Sequence, residues 1–395
     1  MNRGYVISII IFIFIVIATL VVIGIGKGYR FGLDSGKIEL SGTGILVAKS
    51  MPDTAQVFLN GHLTTATNNT LNLAPKEYDV KIFKEGYFPW EKKITVSKEQ
   101  VSTANALLFP TAPALENITD IGVSQAVIDP SMTKIAFTVA SQSAKKNGIY
   151  ILDMTSRPIL TLQSSSSQIV DNSTDLFSEA KMSWSPDGKQ LLATVSADLN
   201  DNTYLLDVDR MNVTPTNVTE VLANATANFA KQTQAVQKAR ISSLSKKVRS
   251  FAANNFTIMS WSPDQTKILY KASQSATMPI FITPRILGVN STVEDRNLNK
   301  DEIYVYDIKE DRNYKLDSAD FSQSYSWYPD SGHILFVKDK KLQVMEYDGL
   351  NKITFYAGPF IDSYAFPWPD GTKIVILTNL GNANSTPNLY TISLK

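Results

Sequence analysis

The residues able to carry chemistry are few, and their spacing narrows the choice further. Two histidines, His62 and His333, and no cysteine remove disulfides, thiolate metal sites and cysteine nucleophiles, and leave little imidazole chemistry. No Gly-x-Ser-x-Gly elbow, His-Glu-x-x-His zinc motif or phosphate loop occurs. Asp295-Arg296-Asn297-Leu298-Asn299-Lys300-Asp301 offers oxygens at alternate positions, the rhythm of a calcium loop. Yet Lys300 takes the sixth position, where such a loop turns on glycine, and Tyr306 the twelfth, where a bidentate Glu belongs. A polar inter-strand loop is expected there, and neither a metal nor another cofactor.

A second set of carboxylates, Asp187, Asp264, Asp330 and Asp370, recurs just after prolines. It belongs to a repeat whose five copies are Ile128-Asp129-Pro130-Ser131-Met132-Thr133-Lys134, Trp184-Ser185-Pro186-Asp187-Gly188-Lys189, Trp261-Ser262-Pro263-Asp264-Gln265-Thr266-Lys267, Trp327-Tyr328-Pro329-Asp330-Ser331-Gly332 and Trp368-Pro369-Asp370-Gly371-Thr372-Lys373. Each copy precedes a β-rich run such as Ile135-Ala136-Phe137-Thr138-Val139, and most are followed by a further strand such as Ile303-Tyr304-Val305-Tyr306-Asp307. Strand, Pro-Asp-Gly turn, strand, loop and strand, at a spacing of about 40 residues or more, is the pattern of a propeller blade. The aspartates then sit in equivalent turns, too dispersed to act on one bond, and Trp184, Trp261, Trp327 and Trp368 are packing residues, with sugar stacking as the alternative. The last blade lacks an outer strand, which a segment within 104–118 is expected to supply. Five blades are visible, and a sixth, degenerate one has room in an insertion.

The third constellation is cationic. Lys231, Lys238, Arg240, Lys246, Lys247 and Arg249 face one acid, Glu220, within the proline-free insertion 217–254. Val218, Val221, Leu222, Ala225, Phe229 and Val236 share one helical stripe, and Ile241, Leu244, Val248 and Phe251 form another on a shifted face, which predicts two helices or a break. A basic amphipathic helix lies on an anionic membrane or grips an acidic partner. The alternative is a helix packed on the propeller with its polar face in water.

The 395 residues that position these groups allow two or three domains, and Lys+Arg 38 against Asp+Glu 37 gives no global pull toward nucleic acid. Tyr5 to Gly26 carries no charge; as a helix of about 22 residues it reaches roughly 33 Å, enough to cross a hydrocarbon core of about 30 Å. The apolar stretch exceeds a signal peptide's and no small-x-small cleavage site follows, so residues 1–26 are read as an uncleaved, single-pass anchor, N-terminus in the cytoplasm and bulk outside. A linker, 27–44, leads to short alternating runs over 45–108, punctuated by Asn60-Gly61, Ala74-Pro75 and Glu85-Gly86, which read as a small all-β sandwich.

Within that sandwich, Pro52-Asp53-Thr54-Ala55-Gln56-Val57-Phe58-Leu59-Asn60-Gly61, Leu73-Ala74-Pro75-Lys76-Glu77-Tyr78 and Lys84-Glu85-Gly86-Tyr87 resemble the PEGA domain. Thr54 and Lys76 stand where that family has glycine. The resemblance implies a bacterial cell-surface protein with a structural or envelope-binding role. The repeat over 109–395 is similar to the WD40-like repeats of TolB-type propellers. Such propellers also cap prolyl-oligopeptidase-type enzymes, but no hydrolase domain is expected here. The expected fold is all-β apart from the anchor and the insertion. The expected function is a non-catalytic envelope scaffold that holds an envelope protein or cell-wall glycan. One alternative is an accessory or sensor subunit docking a membrane complex through the basic insertion. A glycan-active enzyme is another, and it would need carboxylates clustered within about 10 Å.

Overall fold

The computed structural model describes residues 3–26, 30–34, 37–155, 166–196, 201–316, 325–361 and 364–394. The chain is mostly β and divides into two compact units, Met1–Phe109 with Ile282–Glu294, and Pro110–Phe281 with Asp295–Lys395.

The first unit opens with helix α1 (Arg3–Gly26). Its side chains are described without a break only from Ile7 to Ile23, all exposed. Among the described residues no helix is long and apolar enough to cross a membrane. A hairpin, β1 (Arg30–Asp34) and β2 (Lys37–Ser41), precedes the sandwich. The sandwich is built from β3 (Gly44–Met51), β4 (Gln56–Leu59), β5 (His62–Ala66), β6 (Asn69–Leu73), β7 (Lys76–Phe83), β8 (Trp90–Val96) and β9 (Val101–Leu107). One sheet runs β6-β3-β9, with β9 parallel to β3, and the other runs β5-β4-β7-β8.

Strict alternation decides which face goes inside. In β7, Tyr78, Val80 and Ile82 are buried while Glu77, Asp79 and Lys81 face water, and the same two-residue period buries Ser102, Ala104 and Ala106 in β9. These side chains meet Leu46, Val57, Trp90 and Ile94 in one core. Each fully buried aliphatic among them contributes about 1.5–3 kcal/mol. Asn60 and Gly61 both hold positive φ, 50° and 81°, so the β4–β5 turn matches the strands' twist.

The second unit is a β-propeller of four-stranded antiparallel sheets, five of them among the described residues. Its strands are β10 (Leu115–Asn117), then blade I with β11 (Ala126–Ile128), β12 (Lys134–Val139), β13 (Gly148–Asp153) and β14 (Ser166–Asp171). Blade II holds β15 (Lys181–Trp184), β16 (Gln190–Val195), β17 (Asn202–Asp207) and β18 (Thr216–Asn217). After α2 (Leu222–Ser243) and α3 (Lys246–Asn255) comes blade III, with β19 (Phe256–Trp261), β20 (Lys267–Ala272), a two-stranded ribbon of β21 (Ala276–Thr277) and β22 (Asn297–Leu298), then β23 (Ile303–Asp307) and β24 (Arg312–Lys315). Blade IV has β25 (Tyr325–Trp327), β26 (His333–Lys338), β27 (Lys341–Glu346) and β28 (Ile353–Tyr356), and blade V has β29 (Ala365–Pro367), β30 (Lys373–Thr378) and β31 (Asn388–Ser393).

Central strands such as β12 and β30 are buried almost end to end. Blades cover both faces of such a strand, so Ile374-Val375-Ile376-Leu377 reads as a continuous apolar run rather than an alternating one. Val375, Leu377 and Leu389 of blade V share a core with Ile135 and Phe137 of blade I. Strand β10 supplies the missing outer strand, Leu115 pairing Ile392, as the sequence led us to expect. Lys373 Nζ reaches Glu116 at 2.7 Å across this joint, and the open edge is removed.

Candidate functional site

The repeated turns are the first place to look for chemistry, and they are occupied by their own backbone. In each, the fourth residue donates its N–H to the carbonyl three back: Met132 to Asp129, Gly188 to Ser185, Gln265 to Ser262, Ser331 to Tyr328 and Gly371 to Trp368, all at 2.8–3.0 Å. All five donors have positive φ, from 58° to 68°. Glycine fills this left-handed position only at Gly188 and Gly371.

The aspartates tie the turns together. Asp187 Oδ1 accepts from the Ser185 hydroxyl at 2.6 Å, Asp264 Oδ1 from Ser262 at 2.6 Å and from the Thr266 N–H at 3.0 Å, and Asp370 Oδ1 from the Thr372 N–H at 2.9 Å. The Ser185 hydrogen bond holds the Asp187 carboxyl below its usual range, and at Asp264 burial works upward but Ser262 and Thr266 outweigh it. Each of these carboxylates serves its own turn through Oδ1. Trp261 is buried in the blade III core, Trp327 is buried between blades III and IV, and the half-buried Trp184 of blade II donates its indole N–H to the Val127 carbonyl of blade I at 3.1 Å.

The run Asp295–Asp301 is likewise engaged piecemeal. Asp301 pairs with Lys271 at 2.8 Å, Asn299 donates to Glu302 at 2.9 Å, and Asp295 Oδ1 accepts the Asn297 N–H at 2.9 Å. Among the described residues no group of three or more His, Asp or Glu side chains could hold a metal ion.

The basic insertion differs from all of this. It folds as two helices that break at Leu244-Ser245. Helix α3 is capped by the Ser245 hydroxyl, which accepts the Val248 N–H at 3.4 Å, and it buries Val248, Ala252 and Asn255. Leu244 and Val248 join the blade III core beside Trp261, Ile268 and Tyr270, with Ile241 and Phe251 at its margin. The second apolar stripe therefore packs on the propeller. The first stripe is covered less: Val218 is buried, Leu222, Ala225 and Phe229 are half-buried, Val221 and Val236 are about half exposed, and helix α2, 22 residues long, has no fully buried residue.

The six cations follow this helical frame. Lys231, Lys238, Lys246 and Lys247 are exposed, and Arg240 and Arg249 are half-buried. Among the described residues no ion pair joins any of them, and with Glu220 the only acid in the insertion the local excess is six minus one, five positive charges. Lys246 and Lys247 also occupy the first turn of α3, which has no acidic residue. There each opposes the helix dipole at a cost of about 0.3–1 kcal/mol.

Residues 43–111 match the model of the PEGA domain. No curated protein matches this chain in sequence. Among solved structures it is similar to TolB from Acinetobacter baumannii, at 14% identity over 81% of this chain and 60% of that one, with a TM-score of 0.23. It is also similar to a protein described as TolB from Agrobacterium tumefaciens, at 14% identity over 69% of this chain and 78% of that one, with a TM-score of 0.23. A third likeness is to the β-propeller domain of the Trilobed protease from Pyrococcus furiosus, at 12% identity over 89% and 95% of the two chains, with a TM-score of 0.22.

Proposed function

We propose that this protein is a non-catalytic scaffold of the bacterial envelope, held by α1 in the membrane, and that it docks an acidic segment of a partner protein through its helical insertion. The observation that carries the reading is α2. Most helical stability in proteins comes from packing an apolar face rather than from propensity. A 22-residue helix with no fully buried residue, carrying Lys231, Lys238 and Arg240 and followed on α3 by Lys246, Lys247 and Arg249, against the one acid Glu220, is a surface that gains both packing and charge compensation from a partner. The propeller serves as the body that presents it, with five blades as the reading of the five sheets.

The anchor rests on α1 itself. Its 24 residues rise about 36 Å, and exposed side chains such as Ile10, Phe12, Phe14 and Leu20 are in keeping with lipid, not water, as their solvent. In this reading the N-terminus is cytoplasmic and the remainder extracytoplasmic. Cell-wall glycan remains the second ligand class, favoured only by the PEGA match.

The test is site-specific photo-crosslinking from position 236 in intact cells of the native host, run beside Lys231→Glu/Lys238→Glu/Lys246→Glu/Lys247→Glu. We expect one envelope protein to be trapped by the parent chain and lost in the charge-reversed one, with both chains retained in carbonate-washed membranes. An adduct that survives charge reversal would remove the docking surface, and release by carbonate would remove the anchor.

A further inference from the structure

The sandwich has an occupant that sequence periodicity does not announce. Ile282–Glu294, between the two strands of the blade III ribbon, belongs to the first unit. It sits on the edge of β8 and on the turn from β8 to β9. Strand β8 ends its sheet, paired only with β7, and the Thr95 N–H donates to Ser291 Oγ at 3.0 Å. Gly288 holds φ +72°, and a Cβ there would lie 3.1 Å from the Val101 carbonyl oxygen and 3.5 Å from Gln100 Oε1. The backbone of the segment therefore lies directly against the turn. Arg285 and Glu294 pair and draw the ends of the segment together, and Asn290 Oδ1 accepts the Thr292 N–H at 3.1 Å.

Two features mark the segment as a ligand of the sandwich rather than a part of its core. None of its residues enters the core, which closes from β3 to β9 and Leu108 alone. Its large apolar side chains face outward, Leu287 69% and Val293 90% exposed. Among the contacts that hold it are the edge N–H of Thr95 donating to a hydroxyl and a close backbone approach to a carbonyl. Those are the contacts by which a sheet edge takes an extended or looped peptide. Gln100 Oε1 is buried beneath it with no hydrogen-bond partner, so an occupant bringing an N–H to that atom would bind more tightly.

We infer that the β8 edge at Thr95, with Gln100 and Val101, is a polypeptide-binding seat of the sandwich, selective for glycine followed three residues later by a hydroxyl, and filled here by Gly288-Val289-Asn290-Ser291 of the same chain. The seat is separate from the helical insertion and does not depend on the function proposed for it.

The experiment uses the full chain with Ile282–Glu294 replaced by a short Gly-Ser bridge, and a fluorescent synthetic peptide of residues 282–294 followed by anisotropy. The bridged chain should bind the peptide saturably and at least 10-fold more tightly than the parent, whose seat is full. A Gly288→Val peptide should bind at least 10-fold more weakly. Absence of saturable binding to the folded bridged chain, or equal binding of the two peptides, overturns the inference. Should the bridged chain fail to fold, Gly288→Val in the intact chain decides: trypsin should cut Arg285-Ile286 at least 10-fold faster than in the parent, and an unchanged rate overturns the seat.

Discussion

The blades and the helical insertion treat charge in opposite ways. On the blades several cations meet a carboxylate: Lys134 with Asp209 at 2.7 Å, Lys315 with Glu302 at 2.9 Å, Lys373 with Glu116 at 2.7 Å, and the nearly buried Arg296 with Asp311 at 3.1 Å. In the insertion six cations stand against one acid, Glu220, and among the described residues none of the six is in an ion pair. The difference teaches where charge is used inside the molecule and where it is left open. The excess of five charges is spread over α2, which has no fully buried residue, and the first turns of α3, and it is an offer to a charged partner.

Breaking the paired side of this comparison should have the largest effect. Asp311 is buried and accepts from Arg296, from the Tyr306 hydroxyl at 3.0 Å and from the Phe281 N–H at 2.8 Å. Asp311→Ala leaves Arg296 without its carboxylate and the Tyr306 hydroxyl and Phe281 N–H without this acceptor, and should cost about 3–5 kcal/mol in urea unfolding. A loss below about 1 kcal/mol would mean that the pairing is not what holds blade III.

The insertion divides internally along the same line. Leu244 is 4% exposed in the blade III core, so Leu244→Ala should cost about 2–5 kcal/mol. Val236→Ala on α2, at 47% exposure, should stay within about 0.5 kcal/mol. Equal costs would place α2 against the propeller and end its reading as a free docking helix.

Charge reversal sharpens the contrast, because stability and binding should move in opposite directions. Lys246→Glu/Lys247→Glu puts acids on the first turn of α3, where each replacement should stabilise by about 0.3–1 kcal/mol. The same variant should lose the cross-linked partner. Higher thermal stability with the partner retained would assign the lysines no role in docking.

How much of this was legible in advance differs element by element. The five turns carry their own signal, since Pro presets one residue and an Asp two positions before the next N–H closes the loop, all within six residues of chain. The joint of β10 with β31 was readable because the last repeat showed too few strands and an open edge demands a partner. The exposure of α2 was not readable: its stripe of Leu222, Ala225, Phe229 and Val236 is as apolar as that of α3, and a stripe says that a face seeks cover without saying whether this chain supplies it. Nor was the seat on β8. Thr95 and Ser291 lie 196 residues apart, and Ile282–Glu294 has neither the two-residue nor the 3.6-residue period that would set it apart from an ordinary loop.

The smallest effect concerns a pair that titrates. His333 is buried with Nδ1 2.6 Å from Asp330 Oδ2, and Glu346, Asp348 and the Tyr328 ring also face it. Burial pulls the imidazole down, but the Asp330 charge and hydrogen bond outweigh it and leave His333 above its usual value. For Asp330 burial pushes upward and the His333 charge prevails, leaving it below the usual carboxylate range. A raised histidine stabilises the fold fully below its unfolded pKa, about 6.5, and that contribution fades as pH climbs through the folded value. A lowered aspartate contributes above its unfolded pKa, about 3.9, and that contribution fades as pH falls through the folded one. The pair should therefore help most between about pH 4 and 6.5. Urea midpoints of the parent and His333→Gln should converge as pH rises from 6 to 9, the parent losing its advantage. Parallel curves across that range would mean that His333 is held neutral and that Asp330 serves only the turn.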